Sequence, residues 1–224
     1  MTDSQSANST GRLEAFSDGV FAIAITLLIL DLRVPRLFEV ATDSMKQGLS
    51  PAAVLGSKLL HLWPNALAYF MSFAVILVIW VNHHRIFTIV RRADRAFLFW
   101  NGLLLMFVTL VPFPTALLAE YMAGGDHGQF RIAALVYSGN GFLIALAFRG
   151  LWRHAIKDGR LLPAGYDPAA IKRVDDEYKW GPVAYFVVFL TAFVVPWASV
   201  GLCLALVMAF SFQGLMNRRP RRRR

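Results

Sequence analysis

Cysteine and charge are both scarce in this sequence. Cys203 is the single cysteine of 224 residues, so there is no internal disulfide and no CxxC pair for zinc or redox chemistry. Charged residues make up only 17% of the chain, against roughly 25% in soluble domains. With 57% hydrophobic residues and a mean hydropathy of +0.51, an ordinary soluble domain is excluded. A cleaved secretory leader is not expected, because residues 1–11 are polar with Asp3 as their only charge and no small-residue cleavage pattern follows the first apolar block. No clustered nucleophile or metal set suggests an enzyme.

What is present is apolar sequence gathered into blocks long enough to cross a hydrocarbon core of about 30 Å as helices of about 20 residues. The blocks predict an all-α polytopic membrane protein forming one domain over residues 1–224, with spans at about 13–32, 59–81, 96–119 and 132–148. The last apolar stretch, 178–213, is too long for one helix, and Pro196-Trp197-Ala198-Ser199 reads as a hairpin turn dividing it into spans 179–195 and 198–213. Lys and Arg collect on the cytoplasmic side of short loops. Six spans with both termini inside put 18 basic residues inside and 5 outside, whereas five spans would separate the basic 149–179 loop from the basic tail. The tail, residues 218–224, is expected to be a cytoplasmic topology anchor that meets anionic lipid, not a nucleic-acid arm. A short surface helix is expected in the outer loop between Arg33 and Lys58, and a kink at Pro112 and Pro114 in the third span.

The first span differs from the rest. It reads RLEAFSDGVFAIAITLLILDL, with Arg12, Glu14, Ser17 and Asp18 at its inner end. An ionised Asp in hydrocarbon costs about 2.5 to 3.5 kcal/mol even on lenient scales, so Asp18 needs a partner. The second span ends in WVNHHRIF and the third begins near Asn101, which predicts a network of Arg12, Ser17, Asp18, His83 and Asn101 tying three helix ends together. Gly19, Ile23, Thr26 and Leu30 share one helix face, with Leu27 beside them. That stripe is either a packing seam or the wall of a pathway, and the charged inner end favours the pathway.

Other groups point to less. His83 and His84 are adjacent, so they diverge by about 100° on a helix, and no acidic or thiol ligand at i+3 or i+4 completes a metal site. His83 beside Asp18 is either a pH-sensitive pair or a neutral helix tie. Asp175-Asp176-Glu177 is expected to be a solvated helix start. Tyr137 and Asn140 are expected to hydrogen-bond between helices. Asp31 and Glu39 are either cation-attracting groups at the outer mouth or ordinary loop charges.

RLEAFSDGVFAIAIT, WVNHHRIF and NGLLLMFVTLVPFPTALL, in this order and spacing, resemble the first three helices of the endosomal and lysosomal potassium channel family, transmembrane protein 175, in its single-repeat prokaryotic form. The resemblance implies a potassium-permeable, leak-like channel of a prokaryotic cytoplasmic membrane, a homotetramer whose first helices line a central pore. Carried over by position, Ile23, Leu27 and Leu30 would form the hydrophobic constriction and Thr26 a pore-facing hydroxyl that transiently meets K+. Arg12, Phe16, Ser17 and Asp18 would lock the helices through Trp80, His83 and Asn101. No cofactor is implied, and there is no TVGYG filter. An apolar ring returns nothing for lost hydration, so selectivity for K+ over Na+ is expected to be weak to moderate. The alternative from another class is a proton-coupled secondary transporter using Asp18 and His83. No second FSD segment or matching broken helix supports it.

Overall fold

The computed structural model describes the backbone of residues 2–216 and the side chains of residues 10–210; the tail at 218–224 lies outside the described residues. Among the described residues the chain is helical without strands. Helix α1 (Thr2–Leu27) tightens into a 3-10 turn over Leu28–Asp31. Two short helices follow, α2 (Leu37–Gln47) and α3 (Pro51–His61), in place of the one surface helix expected. Gly48, at a φ of +65°, ends α2, and the Ser50 hydroxyl caps α3 by accepting from the Ala53 N–H. The long α4 (Trp63–Ile89) then runs back along α1.

The third apolar block is broken as its prolines require. Helix α5 (Arg95–Thr109) ends before Leu110 and α6 (Pro112–Gly124) restarts with Pro112 in its first turn, where a missing N–H costs nothing. Helix α7 (His127–Ile156) is longer than the apolar run 132–148, because an Asp126–Gln129 capping box fixes its start and its last turns are polar. Helix α8 (Pro168–Tyr178) occupies the charged loop. Helices α9 (Gly181–Val194) and α10 (Pro196–Met216) meet at Val195 alone. The four-residue turn expected at 196–199 is therefore not formed; Pro196 opens α10, and the break falls on the residue before it, which proline drives out of the α region.

Four helical stretches among the described residues are long and apolar enough to cross a membrane: Thr10–Asp31, Pro51–Ile89, Arg95–Gly124 and His127–Gly159. Helices α4 and α7 are shared by two packed layers. One joins Phe21 of α1 and Leu28 of the 3-10 turn to Ile76 and Ile86 of α4, Leu104 of α5 and Trp152 of α7. The other joins Met71 of α4 to Leu118 of α6, Ala134 of α7, Val188 of α9 and Cys203 of α10. Interhelical hydrogen bonds add to this packing, which lacks the hydrophobic drive available in water. Ser72 bonds to Thr115 at 2.7 Å and to the Tyr137 hydroxyl at 3.1 Å, and Asn140 donates to the Phe107 carbonyl at 3.2 Å. The polar ends of α1, α4, α5, α7 and α8 gather on one side of the bundle, its basic end.

Candidate functional site

Helix α1 presents two unlike faces. Ser17, Phe21, Ala24 and Leu28, at i, i+4, i+7 and i+11, are buried against the chain's own bundle. The opposite face carries Phe16, Gly19, Ile23, Thr26, Leu27 and Leu30 and is exposed, with Ile23 at 59% and Leu30 at 68%. The Thr26 hydroxyl donates to the Ile23 carbonyl at 2.9 Å, which satisfies its proton and leaves its oxygen outward. Of the proposed pore residues, all four lie on this exposed face.

The end of α1 that carries Ser17 and Asp18 is fixed by side chains of α4 and α5. The Asn101 amide donates to the Ser17 hydroxyl at 3.0 Å, its carbonyl oxygen pairs with His83 Nε2 at 2.8 Å, and Ser17 itself donates to the Leu13 carbonyl at 2.8 Å. Ser17, His83 and Asn101 are all buried, so this chain of bonds is closed to water. His83 is wedged between Phe21, at 5.2 Å, and Phe87, at 4.6 Å, and its Nδ1 has no hydrogen-bond partner.

Two expectations are corrected here. Asp18 does not pair with His83; it accepts from the Trp80 indole N–H at 2.8 Å, because Trp80 lies one turn further along the antiparallel helix and reaches the carboxylate first. Arg12 is exposed and stands outside the hydrogen bonds of the cluster, since the helix turns it to the same side as Phe16.

Glu14, which entered no predicted pair, holds His84 at 2.8 Å. The signal lies in the spacing: Glu14 and Asp18 are one turn apart on α1, and Trp80 and His84 are one turn apart on α4, so antiparallel helices bring the pairs into register.

The acidic triplet is also not a solvated helix start. Asp175 accepts from Arg149 at 2.5 Å and from the Trp152 indole at 3.1 Å, and Glu177 pairs with Arg85 at 2.6 Å; Asp176 pairs locally, with Lys179 just past the end of α8. These bonds clamp α8 onto α4 and α7. A further tie joins α5 to α7, with His154 Nε2 2.8 Å from Asp94, the residue that caps α5. Burial pushes the Asp94 pKa up, but the Phe97 N–H and His154 outweigh it and hold the carboxyl below its ordinary value. At the far end Asn65 donates to the Asp31 backbone carbonyl at 3.3 Å, while Asp31 Oδ2 is buried without a partner. No group of three or more potential metal ligands occurs among the described residues.

The model of the endosomal/lysosomal potassium channel TMEM175 family matches residues 12–112, the segment that contains α1 from Arg12 onward, α4, α5 and the bonds among them. A potassium channel of Chamaesiphon minutus is 49% identical over 213 residues, covering 95% of this chain and 98% of that one. The chain belongs to the TMEM175 potassium channel family. The crystal structure of a lysosomal potassium-selective channel TMEM175 homolog from the same organism superposes with a TM-score of 0.78 over 92% of this chain and 98% of that chain, so the bundle has the TMEM175 channel fold. The human endosomal/lysosomal proton channel TMEM175 is 44% identical over 104 residues, 46% of this chain and 20% of that protein. The TMEM175 family is one of membrane-embedded potassium channels, not of enzymes; it needs no cofactor, and potassium is its permeant ion.

Proposed function

We propose that this chain is a potassium-permeable, leak-like channel in a prokaryotic cytoplasmic membrane, assembled as a homotetramer around four copies of α1. The observation that carries the reading is the exposed apolar face of α1 on a helix whose other face is buried and whose end is locked by Trp80, His83 and Asn101. Four Ile23 side chains around an axis form a neck that gates by dewetting, with Leu27 and Leu30 extending it outward and Thr26 offering oxygens to a partly dehydrated ion. Selectivity for K+ over Na+ is weak to moderate, because the neck favours the ion that sheds water more readily and coordinates neither strongly.

Residues 1–224 form one six-span domain in this reading, with crossings by α1, α4, the broken α5–α6, α7, α9 and α10. The crossings put Arg85 and Arg149 on one side, and the basic end then faces the cytoplasm. Helix α9, at 14 residues, is about 21 Å long and spans by local thinning, with Trp180 at its headgroup end. A proton relay through Asp18 and His83 is disfavoured, since each is bonded to a different partner.

The test is ion flux from the purified chain in liposomes under opposed potassium and sodium gradients. Wild type is expected to pass potassium faster than sodium, and Ile23→Asn to raise the flux and blur the preference. Unchanged conduction in Ile23→Asn would remove the pore from α1, and flux that saturates and needs an opposing proton gradient would make the protein a carrier.

A further inference from the structure

Helix α4 has a second face in use. Val75, Val78, Ile79, Asn82 and Arg85 lie at i, i+3, i+4, i+7 and i+10, turned away from Trp80 and His83, which hold α1 and α5. They form one wall of a cavity of about 110 Å³, closed by Ile144 and Phe148 of α7 and Tyr185 of α9. Val75, Ile144 and Tyr185 also border a smaller, separate void.

The two ends of this cavity differ in chemistry. Its inner part is lined by aliphatic and aromatic carbon, which gives water too few partners and favours an apolar occupant. The mouth carries Asn82, Arg85, Glu177 and Tyr178. Arg85 is held there by one bond to Glu177 at 2.6 Å and by the Tyr178 ring, 5.8 Å below its guanidinium carbon. The bonds to Glu177 and to the Tyr178 hydroxyl use two of the five guanidinium N–H groups and leave the others to an oxyanion. An apolar pocket under a fixed arginine matches an amphiphile with a hydrocarbon chain and an anionic head, and at the level of the basic end that amphiphile is membrane lipid.

We propose that the cavity between α4, α7 and α9 takes the first few methylenes of one acyl chain of an anionic phospholipid, with the lipid phosphate on Arg85. The proposal rests on the placement of the basic end at the cytoplasmic leaflet, and its readout is lipid retention, so a failure to conduct ions leaves it standing and a failure to retain lipid leaves the channel reading standing.

The experiment is native mass spectrometry of the full chain in detergent with equal amounts of phosphatidylglycerol and phosphatidylcholine. Wild type is expected to retain one phosphatidylglycerol per chain, in about tenfold preference to phosphatidylcholine, as a charged contact of about 1.4 kcal/mol gives. Ala145→Phe fills the cavity from α7 and is expected to lose the lipid. Arg85→Gln is expected to keep a lipid with the preference reduced to about one. Val78→Phe fills the same space from α4 and replaces Ala145→Phe if that variant does not elute as wild type does. Equal retention of the two lipids by wild type, or undiminished retention in the filled variant, overturns the proposal. Oleate retained where phosphatidylglycerol is not would also overturn it and assign the cavity to a free fatty acid.

Discussion

The Trp80 indole donates to the Asp18 carboxylate at 2.8 Å, across the antiparallel pair α1 and α4. A hydrogen bond to a charged group in this setting is worth about 1.5–3 kcal/mol, and it answers part of the cost of an aspartate within an apolar helix of membrane-spanning length. Trp80→Phe keeps most of the ring but removes the donor, so it is expected to destabilise the chain by about that amount. In an Asp18→Asn background the same change is expected to cost less, because no charge is left unpaired. Thermal unfolding of the four proteins in detergent measures the coupling; equal costs in both backgrounds would mean the bond contributes nothing.

Asn101 occupies a different position in the lock, with both ends of its amide engaged. Asn101→Leu strands His83 and removes the donor to Ser17, two buried groups at about 1–3 kcal/mol each. Ser17→Ala removes one acceptor and a bond that Ser17 makes within its own helix. The expected order of melting temperature is therefore wild type, then Ser17→Ala, then Asn101→Leu. Reversal of the last two would show that the amide is not the hub.

Polar residues inside apolar runs make the lock legible in the sequence. Ser17, Asp18, Trp80, His83 and Asn101 all have to find partners, and the candidates sit at the same end of three spans. Which atom meets which is not legible there: that depends on the offset of α1 against α4, and a register one turn different would join Asp18 to His84. The loop groups mislead for a related reason. Asp175 and Glu177 lie in polar sequence where solvation is the ordinary outcome, and only the fold brings Arg149, Trp152 and Arg85 to them. Hydropathy locates the bulk of the long helices. Their ends are set by caps such as Asp126 and by prolines, whose effect falls on the residue before them, as at Val195.

Gly150 and Trp100 form a close contact between α7 and α5 that sequence pattern does not mark. A Cβ added at Gly150 would lie 2.4 Å from the Trp100 ring, far inside van der Waals contact. Gly150→Ala is expected to destabilise by about 1–3 kcal/mol through overpacking, although alanine is the better helix former. Trp100→Leu should relieve the clash, so the double variant is expected to melt above Gly150→Ala alone. A Gly150→Ala variant as stable as wild type would mean that the ring swings aside at no cost.

Asp94 couples the start of α5 to α7 and sets an acid dependence of the fold. Its carboxyl titrates below the ordinary aspartate value, because the bonds from Phe97 and His154, with the nearby Arg160, outweigh burial. A carboxyl whose pKa is lower in the folded state contributes stability above its unfolded pKa and loses it as the pH falls through the folded value. Asp94→Asn keeps a good helix cap but cannot ionise. Below the range in which imidazoles take up their proton, the stability difference between wild type and Asp94→Asn is thus expected to stay level down to the ordinary aspartate range and to close only beneath it. Its size is modest, since the Asp94 side chain is 41% exposed and solvent screens the pair. Asp94→Ala, which also removes the cap, is expected to cost about 1 kcal/mol more at every pH. Acid titration of the melting temperature in detergent separates the two contributions, and a wild-type to Asp94→Asn gap that widens as the pH falls below the ordinary aspartate range would reverse the assigned direction of the shift.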